Sequence, residues 1–395
     1  MRAVGPRTPP PAVLTEDAND NTGGGEEKDD AMAAAMAAAS AATTVLQLDR
    51  RNILRDTFQS FGKLQRSDLE HKLRIDFTGE VGIDSGGITD DWYVEVTRAL
   101  LDPSLCLFSK VDSGGDLYTI NPLSGVQGKV ADEYFHFFGR FLGKMAFDRR
   151  TAEVPFCASL LKQILGQQPT LACLAEIDPV KHQSLQWVLH NDITDVIYET
   201  FAVVRDTFGE QKTIDLCPGG RSIEVVEGNK AEWVTLVVEW ELGGCVREQL
   251  DSLILGFHEL VPPSGLAGFD TTDLELLLRG PRTVDVWRVR SFTKYAGEGL
   301  SEASATVQFF WETFETFDDG RRSQVLKFCT GCTCIPLDGF EPAFTIVKSS
   351  LPTNSLPTSH TCFNQLVLPE YSSREELEER LSFALQHSTD GFQMS

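Results

Sequence analysis

The run Leu356–Asn364, LPTSHTCFN, decides how this chain is to be read. It sets a single cysteine, Cys362, in a polar stretch close to the end of the chain, ahead of the apolar segment LVLPEY and a short amphipathic helix. An ordinary free cysteine packs as a small buried hydrophobe. A cysteine in a polar loop on a small terminal unit is also where a nucleophile could sit, and the residues alone leave both readings open. Its thiolate is the reactive form, so an ordinary pKa of about 8.5 must be lowered or a base must assist. His360 and Thr361 are the nearest polar neighbours in sequence. In an extended segment residues i and i+2 share a face, which would put His360 beside the sulfur. There it would support the thiolate, polarise an incoming carbonyl, or simply hydrogen-bond the loop.

Outward from this run, a helix is expected to begin at Ser373, with Glu376 completing a capping box and Leu377, Leu381, Ala384 and Leu385 forming its buried stripe. Upstream, Leu274 to Leu278 closes another helix. Gly280-Pro281-Arg282 then makes a stop signal, since Gly suits the position past a helix end and Pro cannot continue it. This stop marks a boundary between a globular unit that begins at about Thr44 and a smaller, domain-sized α/β unit at 284–395. Within the larger unit Tyr134 to Phe147 is apolar almost all round, as in a helix buried in a large core. Trp92 to Leu101 is a second helix, ended before Pro103. Residues 185–242 mix short periodic segments with turns at Gly219–Gly220 and Gly228, and the β-branched run at 223–226 is expected as a strand. Residues 1–44 combine a Pro-rich start, an acidic Gly-rich patch and an Ala/Met run. They bury too little apolar surface to order and are expected to be disordered.

With 395 residues and 42% hydrophobic content, the chain has material for two or three cores. No apolar run reaches the length of a membrane span, and the opening MRAVGPRTPPPAV lacks the apolar stretch of a secretory signal. Nine cysteines without framework spacing suggest a reducing compartment, cytosolic or nuclear. The formal charge of −23 argues against nucleic acid as a partner, because phosphate binding needs clustered Lys and Arg. No membrane partner is expected either.

Two other constellations invite chemistry. Cys329-x-x-Cys332-x-Cys334 could begin a metal site, but a fourth ligand at matching spacing is missing, and packed thiols are the expected reading. No metal or cofactor is expected. The Gly-rich stretch Gly79–Gly87, GEVGIDSGG, has neither the dinucleotide-binding spacing nor the lysine of a P-loop, so it reads as tight turns.

Taken in order, these pieces resemble the HECT family of ubiquitin ligases. Gly79–Gly87 with Trp92 is similar to an early family segment. Asn121-Pro122 and Tyr134–Lys144 resemble its next elements. Ser184-Leu185, Pro218-Gly219-Gly220, Asn229-Lys230, Gly256-Phe257, Glu275-Leu276, Phe310-Trp311 and Thr330-Gly331 follow in register up to Leu356–Asn364. Each piece is weak alone, while their shared order is specific.

The resemblance implies an α+β, bilobal architecture: a mainly helical N-lobe with a small subdomain, hinged to a smaller α/β C-lobe. It implies an E3 ubiquitin-protein transferase that takes ubiquitin from a charged conjugating enzyme (E2) as a thioester on Cys362, then passes it to substrate lysines. Ubiquitin, E2 and protein substrates are the implied partners, and no cofactor is needed because the energy arrives in the incoming thioester. By register the E2 groove would involve Leu185, Val188, Ile197, Trp233 and Val237. Read from their own chemistry, these residues fit either an exposed anchor patch or core packing. Phe392 falls at a family position that helps the charged C-lobe engage the N-lobe. Two departures stand out: Pro281 stiffens the hinge, and Cys334 occupies a position where the family usually has a basic residue. These motivate a rival reading, a non-enzymatic scaffold that binds E2 or ubiquitin without transfer. A second rival, a metal-binding interaction protein, rests only on Cys329, Cys332 and Cys334.

Overall fold

The computed structural model describes residues 43–79, 87–111, 117–152, 154–281, 283–336 and 339–391. The chain enters through β1 (Thr43–Leu48), α1 (Ile53–Phe61), α2 (Arg66–Leu69) and β2 (Lys72–Phe77), with β1 parallel to β2. Side-chain alternation turns Leu46, Leu48, Leu73, Ile75 and Phe77 into one core. Thr43 and Thr44, expected in the disordered segment, are the first residues of β1. Their backbone is held by pairing with Lys72 and Leu73, a partner far along the chain that local composition does not announce. Next come α3 (Gly87–Leu100), the antiparallel pair β3 (Phe108–Lys110) and β4 (Tyr118–Ile120), α4 (Lys129–Phe147) and α5 (Ala158–Ile164). The Gly-rich stretch at Gly79–Gly87 falls at residues 80–86 outside the described residues.

Helix α4 is the spine of the large core, burying Phe135, Phe138, Phe141 and Leu142 completely. Aromatic edges meet faces here, as between Trp92 and Phe141 at 5.1 Å. Two cationic residues share this interior, and their heads are met by acceptors. Arg140 donates to Glu259 (2.6 Å) and to the carbonyls of Gly62 and Leu64. Lys144 donates to Asp148 and to the carbonyl of His71. Burial lowers the Lys144 pKa, opposed by Asp148.

A second, small core follows, built from α6 (Leu171–Ile177), α7 (Pro179–His190), the hairpin β5 (Ala202–Thr207) and β6 (Glu210–Asp215), and α8 (Lys230–Leu242). The expected strand at 223–226 is not formed: the segment makes one isolated bridge, Thr200 with Glu224, and only Val225 is buried. The strands lie instead at 202–215. Their turn has positive φ at both Phe208 and Gly209, the geometry that matches the twist of a hairpin.

The chain then returns to the large core through α9 (Arg247–His258) and α10 (Thr271–Arg279). Helices α4 and α9 touch backbone to backbone. A Cβ on Gly139 would lie 2.0 Å from the Leu253 carbonyl oxygen, and one on Gly256 would lie 2.1 Å from that of His136. Helix α10 starts with a full capping box, Asp270 accepting from Thr272 and Asp273 N–H while Asp273 accepts from Asp270 N–H. Asp270→Ala should cost about 1 kcal/mol, read as a lower denaturation midpoint with the fold intact. An unchanged midpoint would show that α10 is held by packing alone.

Past Gly280 a third core forms from α11 (Val286–Ser291), β7 (Lys294–Ala296), α12 (Ala305–Thr316), α13 (Asp319–Thr330), β8 (Thr345–Lys348), β9 (Thr358–His360), β10 (Gln365–Leu368) and α14 (Arg374–Gly391). Its sheet has the order β7-β8-β10-β9, parallel except for β9 against β10. On α14, Leu377, Leu381, Ala384 and Leu385 are buried as the spacing predicts. The capping box is half made. Ser373 Oγ accepts from the Glu376 N–H, but the Glu376 carboxylate bonds Ser372 rather than Ser373. Among the described residues no helix is long and apolar enough to cross a membrane.

Candidate active site

Cys362 lies in a single 3-10 turn, Thr361–Phe363, between the edge strand β9 and β10. The turn closes because Asn364 takes a left-handed backbone, φ 51° and ψ 48°, a conformation that Asn tolerates better than most residues. Three bonds clamp that residue. Its N–H donates to Thr361 O (3.1 Å), its carbonyl accepts from Thr345 N–H on β8 (2.9 Å), and its side-chain amide donates to Pro342 O (2.7 Å). Asn364 is fully buried, while Phe363 beside it is 47% exposed. The turn packs against α13 and against α3 of the large core.

This geometry changes one expectation. His360 ends β9, and the chain then coils into the 3-10 turn, so extended alternation does not carry through to Cys362. His360 is exposed and Thr361 half-buried. Phe392 and Arg282 lie outside the described residues.

Burial quiets four thiols elsewhere in the chain. Burial pushes up the thiols of Cys157, Cys329 and Cys332, and burial followed by Glu241 raises Cys245 to about 11. A thiol held protonated in this way is a poor nucleophile near neutral pH. Among the described residues no three His, Cys, Asp or Glu side chains gather as a metal site. Cys334 does something else: it joins the third core to the segment leading out of the large one. Its Sγ donates to Arg279 O at 3.1 Å and lies 3.6 Å from Thr151 Oγ1. Gly280, at φ 81°, leaves the space the sulfur occupies, since a Cβ there would fall 2.5 Å from it. Near Cys332 the large core presents a buried ion pair, Arg150 with Asp90 at 3.0 Å.

The groove residues divide. Leu185, Val188 and Val237 are buried in the small core, and Ile197 and Trp233 pack at its margin. Trp233 donates from Nε1 to Thr200 O at 3.0 Å. Three of the five are therefore interior, because α7 and α8 turn these faces toward each other. The apolar surface lies on neighbours that sequence reading passed over, among them Trp187 (45% exposed) and Tyr198 (84%). A period count around α7 puts Trp187 two positions from Leu185, off the buried face, which was the available signal.

Residues 94–395 match the HECT-domain (ubiquitin-transferase) family, and the chain belongs to it. It is 37% identical over 356 residues to the E3 ubiquitin-protein ligase TOM1-like of Neurospora crassa, covering 88% of this chain and 9% of that protein. It is also 37% identical over 357 residues to the E3 ubiquitin-protein ligase pub1 of Schizosaccharomyces pombe, covering 88% of this chain and 46% of that protein. The chain thus spans less than half the length of these relatives.

Proposed function

We propose that this chain is an E3 ubiquitin transferase in which Cys362 carries ubiquitin as a thioester between an E2 and a substrate lysine. The observation that carries this reading is the placement of Cys362. It stands in a clamped turn at the edge of the C-terminal sheet, inside the span that matches the family. The Cys362 thiolate attacks the thioester carbonyl of the charged E2, and the tetrahedral adduct collapses by expelling the E2 thiolate. A lysine amine then attacks the new thioester, loses a proton and expels the Cys362 thiolate. The first exchange is close to thermoneutral and the second runs downhill to an amide, so neither needs a metal or cofactor.

In this reading the large and small cores form an N-lobe at 45–279, residues 280–283 are the hinge, and 284–395 form the C-lobe. Separate hydrophobic clusters on either side of Gly280 support the division. The small core receives the E2. Leu185, Val188 and Val237 shape it from inside, Ile197 and Trp233 form its margin, and Trp187 and Tyr198 offer the exposed contacts. Tyr198→Ala should slow ubiquitin loading about 10-fold, as for an interface anchor, with little change in melting. Normal loading by this variant would remove Tyr198 from the interface. The role of Phe392 rests on the family resemblance; helix α14, which precedes it in the chain, lines a cleft with Ser382, Leu385 and Gln386 against Asp91, Val94, Glu95 and Arg98 of α3. The free thiols of the described cysteines suit a cytosolic or nuclear setting.

The test is a non-reducing gel after incubation with activating enzyme, a panel of E2 enzymes, ATP and ubiquitin. A thiol-sensitive adduct is expected with the natural chain. No adduct from folded protein across the panel would turn the reading to an E2- or ubiquitin-binding scaffold.

A further inference from the structure

We infer that Cys334 is a positioning residue: a latch that seats the C-terminal core on the hinge and sets how readily Cys362 swings away to be loaded. The inference deepens the thioester reading above and rests on it.

The latch is built from three contacts between parts of the chain far apart in sequence. The Cys334 thiol has one proton, and it goes to Arg279 O at 3.1 Å, the last carbonyl of α10. With that proton committed, the Thr151 hydroxyl at 3.6 Å is the donor toward sulfur. The sulfur itself fills the space that Gly280 leaves by lacking a Cβ. Cys334 is 8% exposed, so these bonds are sheltered from water. A longer side chain cannot enter that notch without displacing Gly280, whose φ of 81° is reserved for glycine by sterics. A side chain as short as cysteine is what allows the close seat.

The consequence concerns the two half-reactions. With the latch closed, the turn bearing Cys362 packs against α3 of the large core. Loading requires the sulfur to meet an E2 held at the small core, so the C-terminal core must leave this seat. The latch sets the population of the released state. Losing one hydrogen bond of this kind shifts such an equilibrium about 2- to 10-fold.

The experiment uses the full chain with Cys334→Ala, Cys334→Ser and Cys334→Arg. Two quantities are read: amide hydrogen exchange over residues 279–281 and 333–335, and the single-turnover rate of thioester formation at sub-saturating charged E2. Cys334→Ala is expected to lose protection about 2- to 10-fold in both segments and to load faster by a similar factor, with exchange in α4 unchanged. Cys334→Arg should do the same or more. Cys334→Ser keeps a donor of similar size and should restore natural values, a rescue that a simple packing role would not require. Unchanged protection in Cys334→Ala, or lost protection with no change in loading, would overturn the latch. If the natural chain forms no thioester at all, the transferase reading fails, and the exchange data still decide whether Cys334 holds the seat.

Discussion

Cys362→Ser is expected to turn a thiol-labile ubiquitin adduct into one that survives reducing agent and is cleaved by hydroxylamine. The serine hydroxyl occupies the same backbone position in the Thr361–Phe363 turn. Its oxygen is far less ionised than a thiol near neutral pH, so loading slows. Its ester is a poorer acyl donor, so discharge to lysine slows by several orders of magnitude and the adduct accumulates. Cys362→Ala leaves no nucleophile and should give no adduct. A thiol-labile adduct that persists in Cys362→Ala would relocate the chemistry to another cysteine. Cys106 is then the first to test, since it is exposed, whereas burial raises Cys157, Cys245, Cys329 and Cys332.

Gly139→Ala should destabilise the large core by about 3 kcal/mol or more. In an isolated helix this exchange is favourable by about 1 kcal/mol, because glycine loses more backbone entropy. Here the added methyl would sit 2.0 Å from the Leu253 carbonyl oxygen, and the obstacle is backbone in α9 rather than a side chain that can rotate. Helices α4 and α9 must part, loosening the contacts around Phe138 and Phe257. Gly320→Ala serves as the control. It lies in the first turn of α13, where a Cβ meets only Asp318 Oδ1 at an ordinary 3.5 Å. A melting temperature that falls for Gly139→Ala and not for Gly320→Ala supports the close crossing. Equal behaviour of the two would contradict it.

What could be read ahead of the structure follows the range of the forces involved. Helix α4, the stop at Gly280 and the stripe on α14 were legible because period and caps are local signals. The hairpin β5–β6 was missed because Phe208-Gly209 lacks the Asn-Gly or Asp-Gly signature. The β-branched run at 223–226 misled, since nothing pairs with it beyond one bridge. Gly139 and Gly256 sit among aromatic and aliphatic residues, and only the helix crossing explains them. At the candidate site, the motifs around Cys362 were legible as an ordered series, while the 3-10 turn that follows β9 directly, and interrupts the extended alternation assumed from His360 onward, had no local signal. Leu185, Val188 and Val237 fit a surface and an interior equally well until α7 and α8 are set face to face.

The path of the chain through its cores has one more consequence. Residues up to Ile164 and those from Val246 to Leu278 belong to the same large core, and the small core lies between them as an excursion. Its two ends meet: Gln163 Nε2 donates to Leu242 O at 2.9 Å. A loop of chain that departs and returns at one point can be exchanged as a cassette without repacking what it leaves behind. Recombination or design could thus graft a different excursion here while the α4–α9 crossing and the Cys362 turn are inherited intact, and under the proposed function that graft would retune which carrier enzyme is accepted.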